Sequence, residues 1–168
     1  LEAITAIWDD VVGRKMHLTG GCGAHGGGET YGGPYVLPHK CYNETCAAVA
    51  FMYWNQRMFL MTGAGKYMDV FERTLYNNFL SGVPQTAARG AQGLVAIEVQ
   101  AERPAAFTLC LRIPGWVLGR PVPGDLYTYT DTTPAAWTVS VNGAKAEATV
   151  ENGYARIART WQPGDRVE

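Results

Sequence analysis

Apolar and polar positions recur along this chain in two rhythms. Over residues 1–16, Ile4, Ile7, Trp8, Val11 and Val12 fall at helical spacing with Glu2, Asp9 and Asp10 elsewhere on the wheel, which predicts an amphipathic helix over 3–16. From 45 to 61 the run is apolar almost all round, predicting a helix covered by neighbours on several sides, and Gly63 stops it. Tyr67, Val70, Phe71, Leu75 and Phe79 keep helical period and predict a third helix over 66–80, ended by Gly82 and Pro84. Past Pro84 the period shortens. Residues 94–99, 107–113, 137–141 and 153–158 are short apolar or alternating runs, punctuated by Pro104, Pro114 and Gly115, and Asn142-Gly143 is a strong hairpin signal. Almost only strands are expected beyond residue 92, as a β-sandwich. Residues 119–136, rich in Pro, Thr and Tyr, show no period and read as a surface loop.

The fold class is therefore α+β in two parts, a helical part over 1–83 and a strand part over 84–168. With 168 residues, 47% of them hydrophobic, the chain can bury one sizeable core or two small ones. A net charge of −1 gives no electrostatic footprint for nucleic acid. No apolar run is long enough to span a bilayer, so no membrane partner is expected. Leu1 opens directly into an amphipathic pattern without a basic leader region; we read the N-terminus as truncated and favour a cytoplasmic location. Cys22, Cys41, Cys46 and Cys110 are too few and too uneven for a disulfide scaffold, which leaves reduced thiols as the expectation.

Candidate chemistry gathers in residues 18–46. Gly20, Gly21, Gly23, Gly26, Gly27, Gly28, Gly32 and Gly33 exclude a regular helix or strand and permit close approach of chain to chain or ligand. Tyr31, Tyr35, Val36 and Leu37 are interspersed among them, unlike a flexible linker, and long ordered loops tend to be functional. The loop delivers Glu29, expected to be shielded by Tyr31 and Tyr35. Asn43 is a good N-cap residue, which would set Glu44 and Cys46 in the first turn of the second helix, where the helix dipole favours a carboxylate and lowers a thiol's pKa. A thiolate and a carboxylate at one helix end suit zinc. From spacing alone the ordinary alternative is favoured: an acidic first-turn residue and a small buried cysteine. His17, at the end of the first helix, reads as a C-terminal helix charge.

A resemblance shifts that balance. Leu18-Thr-Gly-Gly with the loop ending Gly28-Glu29, Tyr35-Val-Leu-Pro38, Tyr42-Asn-Glu-Thr-Cys-Ala-Ala48, Asp69-Val-Phe-Glu-Arg-Thr-Leu-Tyr-Asn77 and Leu80-Ser-Gly82 resemble the β-L-arabinofuranosidase family, glycoside hydrolase family 127. Leu111-Arg-Ile-Pro-Gly-Trp116, Val141-Asn-Gly143, Gly153-Tyr154 and Trp161-Gln-Pro-Gly-Asp165 are similar to its C-terminal part, in the same order. The resemblance implies an (α/α)6 barrel, here incomplete, followed by a β-sandwich. Between 81–83 and about residue 92 the family pattern loses a long stretch with a tandem-cysteine segment, so the chain reads as a fragment or an internally deleted form.

The family's implied mechanism is retaining hydrolysis of terminal furanosides: a zinc-bound cysteine thiolate attacks the anomeric carbon while a glutamate acts as acid and base. Glu29 matches the acid/base, and Glu44 and Cys46 match two zinc ligands. The nucleophile has no counterpart in this chain, since Cys110 falls in a predicted strand, and the chain alone is expected to be inactive. His25, Tyr35 and His39 match substrate-binding positions, although Gly26–Gly28 intervene between His25 and Glu29, and His39-Lys40 stands where the family pattern has Asn or Asp. The implied partner is a carbohydrate carrying a terminal arabinofuranoside or related sugar, with a homodimer as an open option. Two alternatives remain: a non-catalytic carbohydrate-binding or structural remnant using Trp116, Tyr127, Tyr129, Trp137 and Trp161, and a zinc-binding interaction module.

Overall fold

In a computed structural model, which describes residues 1–25, 27, 29–82, 95–131 and 135–168, a helical N-terminal region is followed by a strand-rich one. Helix α1 spans Glu2–Arg14, α2 Thr45–Thr62 and α3 Gly65–Arg73. The third predicted helix keeps its side-chain period but not its hydrogen bonding: a π turn over Thr74–Phe79 and a 3-10 turn over Leu80–Gly82 continue α3. The Thr74 hydroxyl donates to the Gly20 carbonyl at 2.9 Å, so the widened turn is tied to the glycine loop.

Trp8, Val11, Val12 and Met16 pack against Phe51, Met58, Tyr67 and Val70. Asn55 lies fully buried in this core because both ends of its amide are used: Trp8 Nε1 donates to Oδ1 at 2.8 Å, and Nδ2 donates to the Phe51 carbonyl at 2.8 Å. Two expectations fail here. Helix α2 is not surrounded, since Tyr53, Leu60 and Met61 are exposed, and Ile4 and Ile7 of α1 are exposed as well. On α1 and α2 the core covers one face and leaves these residues outside it. Nor is 119–136 simply a surface loop: Val122 is buried in the helical core and the Tyr127 hydroxyl donates to the Met16 carbonyl at 3.0 Å.

The strands are β1 Ile97–Glu98, β2 Ala105–Arg112, β3 Ser140–Val141, β4 Ala144–Lys145, β5 Thr149–Glu151, β6 Tyr154–Trp161 and β7 Arg166–Val167. They form a four-stranded sheet in the order β1-β7-β3-β4 and a three-stranded sheet in the order β2-β6-β5, with every pairing antiparallel. Val99, Val139, Val141, Ile157, Trp161 and Val167 from both sheets share one core. Asn142-Gly143 turns β3 into β4 as predicted, with positive φ at both residues, and Asn152-Gly153 turns β5 into β6 in the same way. The predicted junction over 84–92 lies outside the described residues.

Helices and sheets meet at Arg112. From the end of β2 its Nη2 reaches Asp69 at 2.5 Å and Glu72 at 3.5 Å, both on α3, and Nη1 donates to the Ile113 carbonyl at 2.8 Å. Asp69 also accepts from the Gly115 amide at 2.7 Å. Burial pushes the Glu72 carboxyl up, and the Arg112 charge opposes that rise. The contact is close enough to forbid side chains: a Cβ on Gly65 would sit 2.6 Å from the Asn152 carbonyl, and one on Gly115 would sit 2.6 Å from Asp69 Oδ2. Asp69→Ala strands a mostly buried guanidinium and is expected to destabilise the chain by about 3 kcal/mol, the low end of the cost of breaking a buried pair. Urea unfolding checks this, and a shift within about 0.5 kcal/mol, as for ordinary surface substitutions, would contradict it.

Candidate active site

The glycine loop is rooted by close contacts that only glycine permits. A Cβ on Gly20, whose φ is +86°, would lie 2.7 Å from the Thr74 amide nitrogen; one on Gly21 would lie 2.8 Å from both the Asn43 and Asn78 side chains. At Gly23, with φ +128°, it would lie 2.2 Å from the Tyr42 carbonyl oxygen. These contacts press the loop root against residues 42–43, immediately before α2. Above the root the loop doubles back, His25 pairing with Thr30 as an isolated antiparallel bridge and the Ala24 amide donating to the Thr30 carbonyl at 3.0 Å. Glu29 stands beside that bridge with φ 51°, a left-handed conformation uncommon for a non-glycine residue and concentrated at functional positions.

The cap of α2 differs from expectation. Glu44, not Asn43, is the N-cap residue, with φ −69° and ψ 140°, and its side chain makes no capping hydrogen bond. The Glu44 carboxylate instead lies near the Cys46 thiol, two residues on. The Glu44 carboxylate pushes the pKa of the exposed Cys46 thiol up, and Glu29 adds to the rise. The expected lowering by the helix dipole is overturned because an adjacent carboxylate outweighs a dipole shared over a whole turn. Glu44, then Glu29, also raise the Tyr42 phenol. Glu29, Glu44, Tyr42 and Cys46 therefore lie within electrostatic reach of one another.

The other sequence-derived residues are less gathered. His25 and His39 are exposed, and Tyr35, with φ 63°, is two-thirds exposed while its amide donates to the Arg14 carbonyl at 2.7 Å. Glu29 is itself exposed, so Tyr31 and Tyr35 do not shield it; Tyr31 turns toward Cys22. Cys22 is buried and its thiol is pushed up to about 12 by that burial, which makes it inert. His17 is not a helix-terminal charge: α1 ends at Arg14, and burial lowers the His17 pKa and favours the neutral ring.

As a metal centre the donor set is half complete. A thiol and a carboxylate two residues apart have the chemistry of two positions of a tetrahedral zinc shell, but among the described residues no three His, Cys, Asp or Glu side chains are placed to hold an ion. Sequence reasoning missed Asn78. It lies buried on the π turn against Gly21 with its Nδ2 unpartnered, as is Oδ1 of neighbouring Asn43. A polar residue in an otherwise apolar helical period was the signal.

Comparison with known proteins fits this arrangement. The profile of the β-L-arabinofuranosidase GH127 catalytic domain matches residues 1–90, and that of the GH127 middle domain matches residues 80–168. The chain belongs to the GH127 β-L-arabinofuranosidase family, a family of glycosidases. Over 84 residues, 49% of this chain, it is 34% identical to the non-reducing end β-L-arabinofuranosidase of Bifidobacterium longum subsp. longum, covering 13% of that protein. A solved GH127 β-arabinofuranosidase is 34% identical with a TM-score of 0.83, aligned over 99% of this chain and 38% of its own. The GH127 β-L-arabinofuranosidase of Geobacillus stearothermophilus T6 is 25% identical with a TM-score of 0.74, over 99% of this chain and 37% of its own. The chain thus spans well under half of each of these relatives.

Gly23→Ala is expected to separate the loop from Tyr42 and to destabilise the chain by about 2 kcal/mol or more, combining a backbone clash with an unfavourable φ. Gly13→Ala, in α1 with nothing near its added methyl, should stabilise by about 0.5–1 kcal/mol. Equal effects of the two substitutions in thermal unfolding would contradict the packing account.

Proposed function

We propose that the polypeptide of which this chain forms part hydrolyses terminal arabinofuranosides with retention, with Glu29 as acid and base and a cysteine as nucleophile. What supports the reading is that Glu29 and Glu44 both lie within electrostatic reach of Cys46, Glu29 on a glycine loop whose Gly23 packs against the Tyr42 carbonyl. The helices belong to an (α/α)6 barrel and the two sheets to the β-sandwich that follows it.

Glu29 gives its proton to the departing glycosidic oxygen as the nucleophilic sulfur bonds to the anomeric carbon, and later takes a proton from the water that releases the sugar. Its backbone is left-handed and stands beside the His25–Thr30 bridge. A bound zinc ion keeps ligating sulfurs as thiolates. Glu44 and Cys46 would hold it, Cys46 as the thiolate.

In the full-length polypeptide, Glu29→Gln should lower kcat/KM by about 10²-fold or more on unactivated glycosides, the scale of acid/base removal, and by less on aryl furanosides whose leaving group needs no proton. Equal losses on both substrates would remove Glu29 from the acid role. Separately, Cys46→Ala should abolish stoichiometric zinc as measured by elemental analysis. Unchanged metal content would refute the ligand assignment.

A further inference from the structure

The π turn that meets the glycine loop on one side borders a cleft on its other side. Thr74 and Asn78 face Gly20 and Gly21, whereas Tyr76 and Asn77 line a cleft of about 310 Å³ shared with Glu72, Arg73 and Trp116. Trp116 is 54% exposed and Tyr76 66% exposed. Among the described residues neither ring stacks on another aromatic or lies under a cation. Both rings thus offer bare faces in one concave place.

The position of Trp116 is fixed by backbone. The Val117 amide donates to the Pro114 carbonyl at 3.0 Å, and the Leu118 and Arg120 amides donate to the Gly115 carbonyl at 3.0 and 2.9 Å. The Gly115 amide ties the whole turn to Asp69 at 2.7 Å. A ring held this way binds without the entropy cost of ordering a loop. The cleft's charges cancel: Asp69 and Glu72 face Arg112, and Arg73 donates to the Leu18 carbonyl at 3.0 Å. Asn77 donates one amide hydrogen to the Arg73 carbonyl at 3.1 Å.

We propose that this cleft is a second carbohydrate-binding site, separate from the Glu29 loop, in which Trp116 and Tyr76 take the apolar C–H face of a neutral sugar ring and Glu72 and Asn77 meet its hydroxyls. Bare aromatic faces beside planar amide and carboxylate groups match the two-sided chemistry of a sugar. Only the choice of an arabinofuranoside as one probe rests on the hydrolase reading.

The test is titration of the chain with methyl β-L-arabinofuranoside and, in parallel, with cellotriose, following the tryptophan indole N–H resonances. At least one sugar should shift the Trp116 resonance saturably while those of buried Trp8 and Trp161 stay in place. Trp116→Ala should weaken binding roughly ten-fold or more, the scale of losing an aromatic anchor, and Trp116→Phe should weaken it less. Tyr76→Ala, on an exposed helical surface, provides a second variant whose folding is not at risk. Glu29→Gln should leave the Trp116 shift unchanged. A shift with cellotriose alone would support the site while removing support for the arabinofuranoside reading. No shift with either sugar, or full affinity in both alanine variants, would overturn the site.

Discussion

The guanidinium of Arg112 is what makes two small cores into one molecule. It leaves the last residue of β2, reaches two carboxylates one helical turn apart on α3, and uses its other nitrogen on the carbonyl of the following residue. A lysine could not make these contacts together, because they need the planar fork of donors. Around it the chain has removed side chains at Gly65 and Gly115, so that backbone touches backbone and carboxylate touches amide. The stacking of Phe59 on Tyr154 at 6.3 Å and the burial of Val122 among the helices extend the same junction.

Much of this was legible in the chain itself. Trp8, Val11 and Val12 recur on one helical face because that face is buried, and Asn142-Gly143 turns a hairpin because both residues adopt positive φ. What escaped was set by partners distant in sequence. The π turn follows from Thr74 reaching Gly20, 54 residues away, and no local periodicity reports such a contact. Val122 and Tyr127 sit in a stretch of loop composition, yet their partners on the helices draw them in.

The candidate site divides the same way. That Glu29 and Glu44 lie within electrostatic reach of Cys46 agrees with the grouping the family-like motifs implied; the state of the thiol was not legible there. A dipole argument treats the helix end as the only source of field, whereas the Glu44 carboxylate, at the cap itself, raises the thiol's pKa. His17 escaped for a related reason: its ring is buried beyond the end of α1, so desolvation and not helix charge governs it.

The glycine loop has an unequal capacity for change along its length. Its root at Gly20, Gly21 and Gly23 touches two separate parts of the chain, residues 42–43 and the π turn, whereas a Cβ on Gly27 would meet nothing within 4 Å. Inherited variation at the root would have to be matched elsewhere at once. At Gly27 a lineage could exchange the residue without disturbing the packing beneath. A loop built so can vary at that position while its root stays constant.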